Sequence, residues 1–154
     1  FLNTRNTLTQ RTIGPESTGI TKVDLSGMKE GDYAGLGVLQ KNFGFVGAKM
    51  KNNKKHIIMV NGASEEPVEV ESIPLDQEEL YLKAVGDFQD RKDTAEFYYS
   101  LDGENWKTIG NQLKMSYTLP HFMGYRFALF NYATKEAGGH VDFDYFKIEA
   151  EKNN

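Results

Sequence analysis

The sequence has no cysteine, which removes disulfide frameworks, zinc–thiolate centres and thiol nucleophiles together. No apolar run approaches the ~18 to 20 residues that a membrane-spanning helix needs, and no secretory leader pattern is visible. Basic residues are in the minority, with 18 Lys and Arg against 22 Asp and Glu and a formal net charge of -4. Nucleic-acid binders concentrate positive charge on one face, so this balance argues against a polyanion partner. Lys51, Lys54 and Lys55 do cluster, but around Asn52 and Asn53, which reads as a solvated hairpin tip. Catalytic signatures are missing too. His56, His121 and His140 come without a G-x-S-x-G elbow, so no nucleophilic triad can be assembled. No H-E-x-x-H helix, P-loop or Gly-rich dinucleotide turn is in a supporting context.

What the chain does have is aromatic and β-favouring residues. Its 154 residues amount to one domain, and 39% hydrophobic with 12% aromatic content can bury a core. Tyr125 to Glu149 reads as two strands with period-two alternation around a turn at Thr134–Gly139. In the first, Phe127, Leu129 and Asn131 oppose Ala128, Phe130 and Tyr132; in the second, Val141, Phe143, Tyr145 and Ile148 oppose Asp142, Asp144 and Lys147. Earlier strands are expected over Asn6–Ile13, Thr18–Leu25, Tyr33–Gln40, Phe43–Met50 and Lys54–Val60, the third and fourth joined as a hairpin at Lys41-Asn42. Val68–Ser72 reads as an exposed edge strand with acidic outward residues. Glu79–Phe88, Glu96–Leu101 and Lys107–Ile109 complete the set, with Asp102-Gly103 as a hairpin turn. Only Leu75–Leu82 and Gly110–Leu119 could hold a helical turn. This spacing predicts an all-β, two-sheet antiparallel β-sandwich of jelly-roll type.

Glycoside cleavage needs two carboxylates flanking one bond. Glu69 with Glu71 and Asp142 with Asp144 are spaced to share a strand face, but each pair has a plainer reading. The glutamates fit an acidic edge strand. The aspartates fit a solvated turn or a partial site for a hard cation such as calcium, with Asp144 the stronger ligand candidate. Sugar sites combine a flat aromatic platform with polar side chains. Gln10, Gln40, Phe43, Asn131 and Tyr132 are the residues expected to form such a surface, while Trp106 is expected to pack over its own hairpin.

Four stretches in order carry a more specific signal: RNTLTQRTIGP (Arg5–Pro15), VDLSGMKEGDYAGLGVLQKNFGFVGAKM (Val23–Met50), YYSLDGENW (Tyr98–Trp106) and GYRFALFNYATKEAGGHVDFDYF (Gly124–Phe146). Together they resemble the C-terminal module of glycoside hydrolase family 43, the bacterial β-xylosidases and α-L-arabinofuranosidases. The resemblance implies a concanavalin A-like sandwich appended to a propeller that carries the catalytic acids. It implies a non-catalytic accessory module that binds a xylan- or arabinan-derived saccharide, or one that braces the propeller without sugar affinity. A free-standing jelly-roll glycosidase is a weaker third reading. Asp144, in the FDYF segment, matches a position where such sandwiches hold structural calcium. The resemblance also implies a bacterial origin, with the parent enzyme secreted or cell-associated. Residues 1–154 are expected to be a single module, a fragment starting at Phe1 that lacks the family's opening strands, with a homodimer, strand exchange or a partner fragment covering the gap.

Overall fold

Apolar residues recur at every second position through most of the chain, and that period builds two antiparallel sheets. The computed structural model describes residues 6–116 and 124–150. Its strands are β1 (Thr7–Arg11), β2 (Glu16–Asp24), β3 (Asp32–Leu39), β4 (Phe43–Lys51), β5 (Lys54–Gly62) and β6 (Val68–Leu75). They continue with β7 (Glu79–Asp87), β8 (Thr94–Ser100), β9 (Lys107–Thr108), β10 (Leu113–Lys114), β11 (Arg126–Ala133) and β12 (Asp142–Ala150). One sheet runs β1-β11-β3-β4-β5-β6; the other runs β10-β8-β7-β2-β12, with β9 against β8. The expected two-sheet sandwich is therefore the observed architecture. A single 3-10 turn at Gln89–Arg91 is the one helical element among the described residues. The Leu75–Leu82 stretch is instead the end of β6, a short connection and the start of β7. Of Gly110–Leu119, Leu113–Lys114 form β10, whereas residues 117–119, like His121, lie outside the described residues.

Alternation decides which side chains meet. In the first sheet Leu36, Val38, Val46, Ala48, Ile57, Met59, Phe127 and Leu129 join a core with Val23, Leu80, Leu82, Ala84, Phe97 and Tyr99 of the second sheet. Phe127 meets Phe146 edge-on at 6.1 Å between centroids, fixing β11 over β12. The intervening residues of the first sheet point away from the second. There they form a smaller cluster of Phe43, Phe45, Ile58, Val60 and Phe130, with Tyr33, Leu39 and Tyr132 packed against it. Strands β3 to β5 are thus apolar on both faces, which is why they read as near-continuous apolar runs.

Two bulges change faces that strict alternation would assign. The register of β12 on β2 shifts between Phe143 and Tyr145. Phe146 and Ile148 then pack with Phe143 against the core, while Tyr145, expected on their face, turns outward and is 42% exposed. The register of β6 on β5 shifts between Met59 and Val60, so Glu71 is opposite Met59 and Glu69 is opposite Val60. An extra residue on one strand breaks the period of two. Asp102-Gly103 is not a two-residue turn either. The loop between β8 and β9 wraps around the Asp102 carboxylate, whose Oδ1 accepts from the Glu104 and Asn105 amides at 2.9 and 2.8 Å.

Candidate functional surface

The face of the first sheet that turns away from the core carries a continuous row across its strands. Tyr132 of β11 is opposite Tyr33 of β3, Tyr33 is opposite Lys49 of β4, and Lys49 is opposite His56 of β5. Directly opposed residues on antiparallel strands share a face and touch. The Tyr33 and Tyr132 rings stack in parallel, 5.1 Å apart with 2° between planes. Tyr132 also lies 5.9 Å from Phe130, and Phe130 meets Phe45 edge-on at 4.7 Å. Burial, reinforced by Tyr33, pushes the Tyr132 phenol up to about 12. Lys49 is only 9% exposed, and its ammonium donates to Glu69 Oε1 at 2.5 Å. His56 Nδ1 is buried and has no partner among the described residues.

Glycine makes the floor of this face. Gly35 is opposite both Phe130 and Gly47, and Gly37 is opposite both Ala128 and Phe45. A Cβ on Gly47 would lie 2.1 Å from the Ala34 carbonyl oxygen, so β3 and β4 approach here in a way no side chain permits.

The expected sugar-facing residues do not share one surface. Phe43 and Tyr132 belong to this outward face. Asn131 alternates to the core side, opposite Ala34, with Oδ1 buried and unpartnered among the described residues. Gln40 follows β3 and its side-chain amide is buried, again without a partner among the described residues. Gln10 is exposed on β1, opposite Phe127 and so on the other side of the sheet from Tyr132. Tyr33, Lys49 and His56 were missed because β3, β4 and β5 give no sign of which alternate row is left without a second sheet over it.

The carboxylate pairs fare differently. Glu69 and Glu71, expected on one face, are split by the β6 bulge: Glu69 holds Lys49, while Glu71 accepts the Gly110 amide at 2.7 Å. Asp142 and Asp144 do line one shallow depression with Lys22, Asp24 and Glu79. Lys22 sits among these acids, 2.8 Å from Glu79 and 3.7 Å from the largely exposed Asp144. The Glu79 hydrogen bond holds the Lys22 ammonium above its usual pKa. No group of three or more His, Cys, Asp or Glu side chains suited to a metal ion occurs among the described residues.

The outward face of the second sheet is built differently. Lys83 Nζ lies 4.3 Å from the centre of the Trp106 ring and 4.8 Å from that of Tyr98. The Trp106 ring therefore lies against the Lys83 side chain of β7, a strand outside the hairpin it was expected to cover. Burial lowers the Lys83 pKa, opposed by the charge of Glu149.

Comparison with known proteins places this geometry. Residues 1–149 match the model of the β-xylosidase C-terminal concanavalin A-like domain. The chain is 30% identical over 151 residues to a β-xylosidase of Formosa agariphila, covering 97% of this chain and 24% of that protein. Among solved structures it is similar to a Bacteroides eggerthii protein described as bifunctional GH43-CE, with 61% identity, TM-score 0.94, and coverage of 99% of this chain and 20% of that one. It is also similar to a GH43 glycoside hydrolase engineered to display both endo-xylanase and exo-arabinofuranosidase activity, with 30% identity, TM-score 0.90, and coverage of 96% and 31%. The chain spans no more than a quarter of the curated relatives it matches, at 24% and 19% of their lengths. It belongs to the β-xylosidase C-terminal concanavalin A-like domain family, the sandwich module of glycoside hydrolase family 43.

Proposed function

We propose that this chain is the non-catalytic accessory module of a family 43 hydrolase acting on xylan or arabinan, and that the outward face of its first sheet holds a saccharide from that polymer. The observation that carries the reading is the row Tyr132–Tyr33–Lys49–His56, which lines up stacked rings and polar groups on a face without a second sheet over it. Sugar rings present apolar C–H faces to aromatic planes and hydroxyls to charged and neutral hydrogen-bonding groups. Phe43 lies in the same cluster, beyond Phe45 and Phe130 from the Tyr pair. A catalytic role has no support in the carboxylates, since Glu69 and Glu71 are separated and Asp144 is paired with Lys22.

A second reading, a brace for the catalytic domain without sugar affinity, is favoured by a separate observation. Leu8 on edge strand β1 is 68% exposed and Ile13 just beyond it is 54% exposed. Apolar side chains of that exposure on an edge strand suit burial against a neighbouring domain. Isothermal titration with xylo- and arabino-oligosaccharides separates the two. Heat without released sugar, lost in Tyr33→Ala and Tyr132→Ala, supports the saccharide site. No heat with either ligand series leaves the brace, and release of sugar by the chain overturns both.

A further inference from the structure

Lys83 stands on the outward face of the second sheet, opposite Ile20 of β2 and Tyr98 of β8. It is half-buried, yet its ammonium makes no hydrogen bond and no ion pair among the described residues. Burial holds it below the usual lysine pKa, the direction expected when a cation loses water without gaining a carboxylate. The acids beside it are engaged elsewhere. Glu149, whose charge opposes that shift, pairs with Lys147. Glu96 is the diagonal neighbour of Lys83 on β8, and its carboxylate accepts the Tyr98 hydroxyl at 2.8 Å and the Gln112 amide at 3.1 Å. The ammonium is left open to a carboxylate from outside.

Its surroundings are fixed in place. The Trp106 and Tyr98 rings flank the ammonium. Trp106 follows Asn105, whose backbone and side-chain amides both donate to the Asp102 carboxylate, at 2.8 and 2.7 Å, and Glu96 holds the Tyr98 hydroxyl. On the other side of Lys83 lies half-buried Ile20, and beyond it Lys147 of β12 is opposite Ile20. The row Lys147–Ile20–Lys83–Tyr98 therefore alternates positive charge with apolar surface across β12, β2, β7 and β8.

We propose that this row binds an acidic sugar, with Lys83 taking the carboxylate of a uronic acid side group and Trp106, Tyr98 and Ile20 meeting the C–H faces beside it. A carboxylate gives the ammonium a charge-assisted hydrogen bond, roughly twice as strong as a neutral one, while the rings and Ile20 supply the apolar contact that sugar rings seek. A neutral sugar offers the ammonium no more than water does. The choice of a sugar acid rests on the polymer class proposed above, but not on the first sheet as its saccharide face.

The test is isothermal titration with two probes: xylotetraose carrying one glucuronic acid side group, and unsubstituted xylotetraose. The acidic probe should bind about tenfold or more tightly than the neutral one at low salt, with the advantage shrinking as ionic strength rises. Lys83→Met should erase the advantage and leave the neutral affinity unchanged, and Lys83→Arg should retain it. If Lys83→Met folds poorly, Lys83→Gln takes its place. Tyr33→Ala, on the first sheet, should keep the advantage. Failure of the neutral probe alone to bind would count against the first-sheet saccharide face and leave this site standing. Three results overturn the proposal: no binding of the acidic probe or no advantage over the neutral one, an advantage undiminished in Lys83→Met, or its loss in Tyr33→Ala.

Discussion

The two outward faces of this sandwich obey the same alternation and reach opposite ends. On the first sheet the outward rings are packed away: Phe130, Phe45 and Phe43 are 1%, 2% and 5% exposed, although no second sheet covers them. On the second sheet the outward side chains stay in contact with water, with Tyr145 42% exposed and Lys83 lying over Trp106 and Tyr98. The difference comes from what lies beneath. Gly35, Gly37 and Gly47 are opposite Phe130, Phe45 and Ile58, so bulky groups share rungs with residues that have no side chain. The second sheet alternates outward Ile20, Lys22, Tyr81, Lys83 and Tyr98 with inward core residues and needs no such floor. An outward face that behaves like a second core carries structural weight that the other face does not.

Mutations at matched positions should break that contrast in order of size. Phe130→Ala opens the outward cluster of the first sheet and should cost about 3 to 5 kcal/mol in denaturant unfolding, a core-sized loss from a face with no sheet above it. A loss below about 1 kcal/mol, normal for surface sites, would show that the cluster is ordinary surface. Gly47→Ala tests the floor directly. With a Cβ 2.1 Å from the Ala34 carbonyl oxygen, the strands must part, and the loss should be about 1 to 3 kcal/mol, typical of overpacking. Unchanged stability would mean that β3 and β4 shift without penalty. On the second sheet, Lys83→Met removes the charge from over the two rings and keeps the apolar stem, so the loss should stay under about 1 kcal/mol. A larger loss there would erase the distinction between the faces.

The sandwich was legible in the sequence because a period of two survives in most strands, and the hairpin at Lys41-Asn42 appears as expected between β3 and β4. The exposed edge strand at Val68–Ser72 was legible for the same reason, since Val68 and Val70 alternate with glutamates and are 53% and 37% exposed. Faces failed wherever a bulge intervened. Tyr145 left the side of Phe143 and Ile148 on which it was expected, and Glu69 and Glu71 parted, because an extra residue on one strand breaks the period of two. The candidate surface was half legible. Phe43 and Tyr132 are strong aromatics on alternating strands, whereas Lys49 and His56 look like ordinary residues of β4 and β5 until strand order brings them into line with Tyr33. Strand order is a long-range property, and nothing within one strand encodes it. Asn131 and Gln40 were chosen as polar neighbours of aromatics, but both carry buried amide atoms that lie away from the Tyr33–Tyr132 row.

The smallest expected effect is the most direct probe of the outward face. The Tyr132 phenol is pushed from an ordinary value of 10.0 up to about 12, first by burial and then by Tyr33. Below the ordinary value the phenol is neutral in both folded and unfolded chains, so this linkage contributes its full stability there. As pH rises from 10.0 toward about 12 the unfolded chain ionises first, and that contribution is progressively lost. Tyr132→Phe has no proton to lose, so its stability should fall less steeply over the same window while matching the parent chain closely near neutral pH. Denaturant midpoints measured across the alkaline range give this slope, and phenolate absorbance should show one late-ionising tyrosine that the variant lacks. If Tyr132 instead ionises at the ordinary phenol value and both chains share one slope, water reaches this ring freely. The outward face of the first sheet would then be as open as that of the second, and its half-buried row of Tyr33, Lys49, His56 and Tyr132 would be ordinary wet surface.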